Sequence, residues 1–211
     1  EEREEPIIID EFNEQQISLL SSGHSTNPFR VLTITNRVDS LLLREQSEEV
    51  LFSNQDSLLK LFSQRLVATV KDSASLGVGI AAPQVGKSLH IFLMYSAPSE
   101  RYPNAPLLPL TVVINPKITA TNNQQALGWE GCLSVKGKRA LVARHSRIKV
   151  SYLDEAGNAH QQTLTGFLAR IFQHELDHID GITFIERLDN EDEAISEQQW
   201  RKQQQNSAAN Q

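Results

Sequence analysis

The order of apolar and polar residues predicts a chain of mixed helices and short strands. Between Asp56 and Val70, apolar residues fall at positions 58, 59, 61, 62, 66, 67 and 70, which is a helical period. The segments Arg147–Leu153 and Ala159–Thr165 predict the two strands of a hairpin, because turn-forming residues 154–158 separate them. Further strands are predicted at Val31–Ile34, His90–Tyr95, Thr111–Asn115 and Ile182–Ile185.

A second helical stretch, Phe167–His178, carries two histidines on its apolar face. The residues of this face, spaced by four, three and four positions, are Phe167, Ile171, His174 and His178. Two imidazoles one turn apart can bind one metal ion, and Glu175 beside the first can serve as a general base. The alternative is a pair of hydrogen-bonded core histidines. We disfavour it because burying two imidazoles without partners is costly.

Both ends of the chain differ in composition from its middle. Residues 1–28 begin with an acidic run and end in loop-forming residues, so we expect an N-terminal extension with at most a short helix at Phe12–Leu20. Residues 29–188 are expected to form the main domain. Residues 189–211 are rich in Glu and Gln, and Asn190 and Glu193 have the spacing of a capping box, which predicts a C-terminal helix and tail.

Composition and charge exclude several classes of protein. The 211 residues suffice for one sizeable domain, and the net charge of −6 argues against a general nucleic-acid binder, so no sequence-specific nucleic acid is expected as a partner. No run approaches the roughly 18 apolar residues of a membrane span, so no membrane is expected either. A basic stretch interrupts the acidic chain, and we interpret it as the solvated face of strands: Lys136, Lys138, Arg139, Arg144, Arg147 and Lys149.

Two more segments carry candidate chemistry. Residues 77–86 are crowded with small side chains, which suits close approach of another group to the backbone, and Gln84 could aim an amide donor at a reacting carbonyl. Residues 129–134 contain Cys132, the only cysteine, which therefore cannot form an internal disulfide. An inert buried thiol and a metal ligand both fit it at this point.

Three motifs, residues 77–84, 130–134 and 173–178, occur in the order and approximate spacing seen in peptide deformylases, and the chain resembles that family over about Val31–Leu188. The resemblance implies an α+β fold in which antiparallel sheets pack around a central helix with the His-Glu-x-x-His motif. It also implies a hydrolase that removes the formyl group from the formyl-methionine of newly made polypeptides and releases formate. The implied partner is the nascent formyl-methionine chain, with the ribosome surface as a further candidate.

The resemblance also implies roles for particular residues. The implied metal ligands are Cys132, His174 and His178. They would hold one divalent ion, with Fe(II) the first choice and Zn, Ni or Co the alternatives, and leave one position open for water. Glu175 would be the general base, while the Gln84 side chain and the Leu133 backbone N–H would stabilise the oxyanion.

Substrate contacts are implied at Val78, Gly79, Gly131, Phe167, Arg170 and Ile171. Glu130 is expected to pair with Arg144 and keep the Cys132 loop in place. Arg170 departs from the family pattern, in which an apolar residue helps line the methionine pocket. Because a buried unpaired guanidinium is expensive, Arg170 should reach the pocket mouth or pair with a carboxylate. We favour the first, with the charged end contacting substrate positions beyond the methionine; the alternative is that Arg170 turns into solvent and contacts no substrate.

Two other functions stay open. A zinc endopeptidase would take its third ligand from downstream, where Phe184 stands at the place of a third histidine, so Glu193 or Glu197 would have to serve. That alternative leaves the cysteine and the glutamine without roles. A non-catalytic, ribosome-associated binding module would be favoured if a site residue were missing, and all are present. We expect a cytoplasmic location. The chain starts at Glu1 without a methionine, so an organelle is the alternative if a targeting peptide preceded that residue.

Overall fold

In a computed structural model, residues 24–50, 56–72, 77–190 and 193–209 are described, and they form four α-helices and eight β-strands. The helices are α1 (Arg37–Leu42), α2 (Asp56–Asp72), α3 (Gly166–Ile179) and α4 (Glu197–Ala209). The strands are β1 (Gly79–Ala81), β2 (Ile91–Ser96), β3 (Leu108–Thr121), β4 (Gln125–Cys132), β5 (Val135–His145), β6 (Arg147–Leu153), β7 (Ala159–Thr165) and β8 (Ile195–Ser196). The predicted helix Phe12–Leu20 lies outside the described residues.

The strands form two antiparallel sheets on either side of α3. The larger sheet has five strands in the order β1-β2-β3-β6-β7, and the smaller has three in the order β4-β5-β8. Helix α3, which contains the His-Glu-x-x-His motif, contacts β1, β2, β6 and β7 of the larger sheet and β5 of the smaller one. The predicted α+β fold, with antiparallel sheets around a central helix, is confirmed.

Strand β2 shows why the larger sheet has a core on both faces. Ile91 and Leu93 pack with residues of α2, whereas Phe92 and Met94 pack with residues of α3. All four side chains are buried, which explains an apolar run in β2 rather than alternation. On the α3 side, the rings of Phe92 and Phe172 meet edge to face with centroids 5.1 Å apart. This packing fixes α3 against the sheet.

The sharp entry into α3 depends on a glycine. Gly166 has a φ of +55°, a conformation that costs glycine little, and its N–H donates to the Ser146 carbonyl at 2.8 Å. Strand β7 therefore turns directly into the helix. Beyond this turn the helix is buried on most of its sides, so its polar residues at 173, 175, 177 and 178 lie inside the protein. Buried polar groups of this kind need defined partners.

Several predicted elements are confirmed. The helix predicted from Asp56 runs to Asp72, and the hairpin strands β6 and β7 have the predicted bounds. Strand β3 is longer than the predicted Thr111–Asn115 because the chain continues through Asn115, whose φ is +50°, with a shift in the pairing with β6. No strand bounds were predicted for residues 125–145, which form β4 and β5.

Three local predictions are wrong. Residues 31–34 form no strand, because Leu32 and Ile34 each donate one backbone hydrogen bond to a different segment, at Gln84 and Ser134. The strand predicted at Ile182–Ile185 gives way to a 3₁₀ turn at Phe184–Arg187, which is closed by a capping box. The C-terminal helix begins at Glu197, where Ser196 and Gln199 exchange capping hydrogen bonds, instead of after Asn190.

Candidate metal and catalytic site

The predicted metal ligands come together from the end of β4 and the middle of α3. Cys132 is the last residue of β4, and His174 and His178 project from successive turns of α3. Their ligand atoms all lie within 4.8 Å of one another. A thiolate and two imidazoles at this separation form a donor set suited to one divalent ion with an open coordination position.

The ring of His174 is oriented by a buried carboxylate. Its Nδ1 donates to Glu130 Oε2 at 2.8 Å, which leaves Nε2 as the nitrogen available for a metal. A carboxylate on the far nitrogen of a histidine is the usual way in which proteins fix the tautomer of a metal ligand. Glu130 itself is 4% exposed. The three donor atoms and the Glu130 carboxylate that orients His174 therefore both fit a bound metal ion.

The thiol of Cys132 is surrounded by hydrogen-bond donors. His178 Nε2 lies 3.2 Å from its Sγ, the Gln84 side-chain amide 3.3 Å and the Ser134 backbone N–H 3.4 Å. Burial by itself raises the pKa of Cys132, but His178 and His174 lower that pKa well below its ordinary value. The site therefore favours the thiolate, which is the form that binds metals.

Glu175 is the buried carboxylate next to these ligands. It is 3% exposed, and among the described residues its Oε2 has no hydrogen-bond partner. Burial raises the pKa of Glu175 to about 7, although the two neighbouring histidines oppose the shift. Gly79 leaves room for this side chain: a Cβ on Gly79 would lie 2.2 Å from Glu175 Oε1. A glycine is therefore required where β1 passes the carboxylate.

Gln84 is positioned by the 3₁₀ turn at Ala82–Val85 that follows β1. Its Oε1 accepts from the Ala81 backbone N–H at 2.9 Å, which fixes the orientation of the amide. Its Nε2 points toward the site and donates to Cys132 Sγ and, at 3.1 Å, to Ser134 Oγ. Ser134 is a contact that the sequence analysis missed.

The predicted pair of Glu130 and Arg144 is present and belongs to a larger network. Arg144 donates to both oxygens of Glu130 at 2.9 Å and to Asp177 Oδ2 at 2.6 Å. Asp177 is also paired with Arg187. Arg144 and Arg139 are 5% exposed, so the interpretation of the basic stretch as a solvated face is wrong for these two residues. Each is buried because it has a carboxylate partner.

The favoured prediction for Arg170 is also wrong. Its guanidinium does not extend to the pocket mouth; it folds onto the smaller sheet and donates to Glu130 Oε1 at 2.8 Å. The other hydrogen bonds go to backbone carbonyls of residues 126, 128 and 142. Gly128 permits this contact, since a Cβ there would lie 2.7 Å from the guanidinium carbon. The second possibility, a carboxylate partner, is the one observed.

A cavity of about 350 Å³ opens beside the predicted metal ligands. The implied substrate-binding residues all line it: Val78, Gly79, Gly131, Phe167, Arg170 and Ile171. Leu133 lines it as well. Further lining residues, to which the sequence analysis assigned no role in a deformylase site, include Arg101, Tyr102, Trp129, Val135, Lys136, Lys138, Arg139, Glu197 and Arg201. Tyr102 lies in the connection between β2 and β3, and its ring packs at a tilt against Phe167 with ring centroids 4.8 Å apart, a contact that no local pattern indicates.

The carboxylates that an endopeptidase would need do not complete a metal site. Glu197 accepts from Arg139 at 2.6 Å and from Arg101 at 3.2 Å, and Glu193 is exposed. The third ligand atom near the two histidines is the Cys132 sulfur. The donor set and the buried Glu175 would suit a metal-dependent hydrolase with a cysteine ligand.

The chain belongs to the polypeptide deformylase family, whose sequence profile matches residues 30–194. A peptide deformylase 2 of Nostoc sp. is 47% identical over 147 residues, which is 70% of this chain and 81% of the relative. A peptide deformylase 2 of Shewanella oneidensis is 44% identical over 166 residues, or 79% of this chain and 90% of the relative. The resemblance inferred from the three motifs is confirmed.

Solved structures agree with this assignment. A class I type b peptide deformylase of Acinetobacter baumannii with bound Met-Ala-Ser superposes with a TM-score of 0.69 at 36% identity, covering 77% of this chain and 99% of that one. A peptide deformylase of Synechococcus elongatus in complex with actinonin gives a TM-score of 0.66 at 33% identity, covering 79% and 81%.

Membership of the family gives the reaction. The chain is a metal-dependent hydrolase that removes the formyl group from formyl-methionine at the start of new polypeptides. The endopeptidase and the non-catalytic module are not favoured. Within the described part of the chain, no helix is both long and apolar enough to cross a bilayer.

Proposed function

We propose that Cys132, His174 and His178 hold one divalent metal ion, with Fe(II) as the native ion and Zn, Ni or Co able to replace it. The observation that carries this proposal is the convergence of three ligand atoms within 4.8 Å of one another, with Glu130 behind His174. A divalent ion bound there polarises a carbonyl oxygen and lowers the pKa of water. Thiolate and imidazole suit several such ions, so the choice of iron rests on the resemblance.

Glu175 is the proposed general base. Its carboxylate is buried beside the ligands, and its Oε2, which has no hydrogen-bond partner among the described residues, can accept a proton from the attacking water. The water oxygen bonds to the formyl carbon, and the bond between that carbon and the methionine nitrogen breaks. Glu175 passes the proton to the leaving nitrogen and the bond breaks to give formic acid and the amine; the acid proton then moves to the amine, so the products are formate and the protonated amine.

Gln84 and Leu133 are the proposed donors to the developing oxyanion. The amide of Gln84 is held in place by the Ala81 backbone, which preorganises it for donation. Its two N–H bonds face Cys132 Sγ and Ser134 Oγ, so one of these contacts is exchanged for the substrate oxygen. The Leu133 backbone N–H supplies the second donor.

The substrate chain is proposed to lie extended between two sheet edges. Strand β1, which contains Gly79, is an edge of the larger sheet, and β4, which contains Gly131, is an edge of the smaller one. Edge strands can bind an extended peptide through backbone hydrogen bonds. Val78, Phe167 and Ile171 then line the pocket for the methionine side chain. The Arg170 side chain packs in the cavity wall. Its guanidinium has no role in substrate binding in this proposal, because it donates to Glu130 and to backbone carbonyls.

We propose that the enzyme binds its substrate at the ribosome surface, because the formyl-methionine of a new chain becomes exposed there as the chain emerges. We propose the cytoplasm as its location, or an organelle in which formylated polypeptides are made. Co-sedimentation with translating ribosomes, with and without a formyl-methionine nascent chain, tests the association. Recovery of the whole protein in the ribosome-free fraction under both conditions would contradict it.

Formate release from a formyl-Met-Ala-Ser peptide tests the roles at the site. Alanine in place of Cys132, His174 or His178 should remove both metal and activity, because two ligands remain where three are needed. Glu175→Gln should keep the metal and lower kcat by about 10²-fold or more. Glu193→Ala is the matched control and should change neither quantity. Loss of metal in the Glu193 variant, with metal retained when Cys132 is replaced, would refute the assignment.

A further inference from the structure

The guanidinium of Arg170 joins helix α3 to the smaller sheet and to the carboxylate behind His174. The Arg170 side chain is 12% exposed, and that of Glu130 is 4% exposed. Nη1 donates to Glu130 Oε1 at 2.8 Å and to the Val142 carbonyl at 2.7 Å, and Nη2 donates to the Ala126 carbonyl at 2.6 Å. The two carbonyls belong to β5 and β4. These contacts hold the positive charge of Arg170 directly against the buried carboxylate.

Each oxygen of Glu130 accepts two hydrogen bonds. The donors at Oε1 are Arg144 and Arg170, and the donors at Oε2 are Arg144 and His174. Two arginines therefore share the charge of the carboxylate that orients a predicted metal ligand. Because Glu130 is buried, water weakens these interactions much less than it would at the surface.

The second arginine changes how strongly Glu130 acts on His174. A carboxylate that accepts from the far nitrogen of a histidine makes the other ring nitrogen a stronger donor to a metal. A cation on the same carboxylate opposes this effect, because it reduces the negative charge that faces the imidazole proton. Arg170 donates to Oε1 whereas His174 donates to Oε2, so the arginine can act on the imidazole through the carboxylate.

We propose that Arg170 is a positioning residue that acts through Glu130 to weaken His174 as a metal donor. The proposal rests on the proposed function, because it requires a divalent ion at Cys132, His174 and His178. A weaker histidine donor leaves more positive charge on a bound divalent ion. Such an ion polarises a carbonyl and acidifies water more strongly. Arg170 therefore lowers the affinity for the metal and raises turnover.

Substitutions of Arg170 separate its charge from its hydrogen bonds. Arg170→Gln removes the charge and keeps an amide donor, Arg170→Met removes both, and Arg170→Lys keeps the charge. Titration of the metal-free proteins with Co(II), in competition with a chromophoric chelator, measures the affinity. Both neutral variants should bind Co(II) about 3- to 10-fold more tightly than the parent protein, and Arg170→Lys should stay within about 2-fold of it. The d–d absorption bands of bound Co(II) should shift to higher energy in the neutral variants and match the parent in Arg170→Lys.

Turnover should change in the opposite direction to metal affinity. For the Co(II)-loaded proteins, kcat of formate release from formyl-Met-Ala-Ser should fall by about 3- to 10-fold in the neutral variants and stay near the parent value in Arg170→Lys. If Arg170 only held the fold together, its loss would lower metal affinity and kcat together. Equal or weaker Co(II) binding in folded Arg170→Gln or Arg170→Met would therefore overturn the proposal.

Arg187→Gln is the matched control for loss of an arginine from the same network. The Arg187 guanidinium pairs with Asp177, and its side chain is 44% exposed, so Co(II) affinity should change by less than about 2-fold. An equal increase in affinity in the Arg187 and Arg170 variants would overturn the proposal. Failure of the proposed metal site gives a different result, because the parent protein itself would then take up no Co(II).

Discussion

Replacing Glu130 by glutamine tests whether both carboxylate oxygens of Glu130 are needed as acceptors in the buried network behind the predicted metal ligands. Oε1 of Glu130 accepts from Arg144 Nε and Arg170 Nη1, at 2.9 and 2.8 Å. Oε2 accepts from Arg144 Nη2 and His174 Nδ1, at 2.9 and 2.8 Å. A glutamine amide replaces one of these oxygens by NH₂. In either orientation the NH₂ group faces two donors.

The loss of stability follows from this geometry. Two hydrogen bonds to charged groups are removed in either orientation, at about 1.5–3 kcal/mol each, and disruption of a buried ion pair costs about 3–5 kcal/mol. We expect Glu130→Gln to lower the free energy of unfolding by about 3–5 kcal/mol. If His174 changes tautomer to accept from the new amide, the proton moves to the nitrogen that should bind the metal. Metal affinity should therefore fall by about 10- to 100-fold.

Glu197→Gln is the matched control for this change. Glu197 has three arginine neighbours, where Glu130 has two arginines and His174, but the Glu197 side chain is 27% exposed compared with 4% for Glu130. Water can replace the lost contacts there, so we expect a loss of about 1 kcal/mol. Urea unfolding of the metal-free proteins and metal content after dialysis measure both effects. A loss below about 1 kcal/mol for Glu130→Gln, or an equal loss in the two variants, would refute this account of the network.

A double variant isolates the contribution of Arg170. In the Glu130→Gln background, one orientation of the amide places NH₂ against the Arg170 guanidinium. Arg170→Met removes that repulsion, so the two changes together should cost at least about 1 kcal/mol less than their sum. Strict additivity would mean that Arg170 and Glu130 are not coupled.

Two further predictions follow from local geometry. Gly79→Ala places a Cβ 2.2 Å from the Glu175 carboxylate, so it should lower kcat in formate assays by about 10²-fold with the metal retained. Gly77→Ala is the control, because its Cβ would meet only ordinary contacts of 3.5 Å or more. It should behave like the parent enzyme in the same assays. Burial lowers the pKa of Lys87 to about 8 from 10.5. Because the folded chain releases this proton first, the free energy of unfolding should rise between about pH 8 and pH 10.5, and Lys87→Met should abolish the rise in urea titrations.

Much of the site could be predicted from the sequence because its parts are local patterns. The spacing of His174 and His178 places both on one face of a helix whatever the rest of the chain does. The hairpin of β6 and β7 was predicted with its observed bounds because turn residues separate two strand-forming segments. Cys132 was predicted as a ligand from the motif in which it lies. Only the tertiary structure shows that its sulfur lies close to the two histidines.

The errors arose where a side chain has a choice of distant partners. Arg170 pairs with Glu130, which is 40 positions away, and its other acceptors are strand carbonyls whose positions no sequence pattern gives. Arg139 belongs to a basic stretch that looks solvated, yet Glu197, 58 positions later, makes its burial possible. Charge patterning along the chain does not show which cations receive a buried counterion.

The contacts that assemble the site have consequences for when the enzyme becomes active during its own synthesis. Gln84 and Cys132 are 48 positions apart, and Glu130 and His174 are 44 apart, so no short segment contains the complete donor set. Loop closures of this length come late compared with the formation of single helices and hairpins. A growing chain made at about 5–20 residues per second therefore has no assembled donor set until α3 has left the ribosome. Up to that moment strands β1 to β7 form without the metal, so the ion does not serve as a nucleus for their folding.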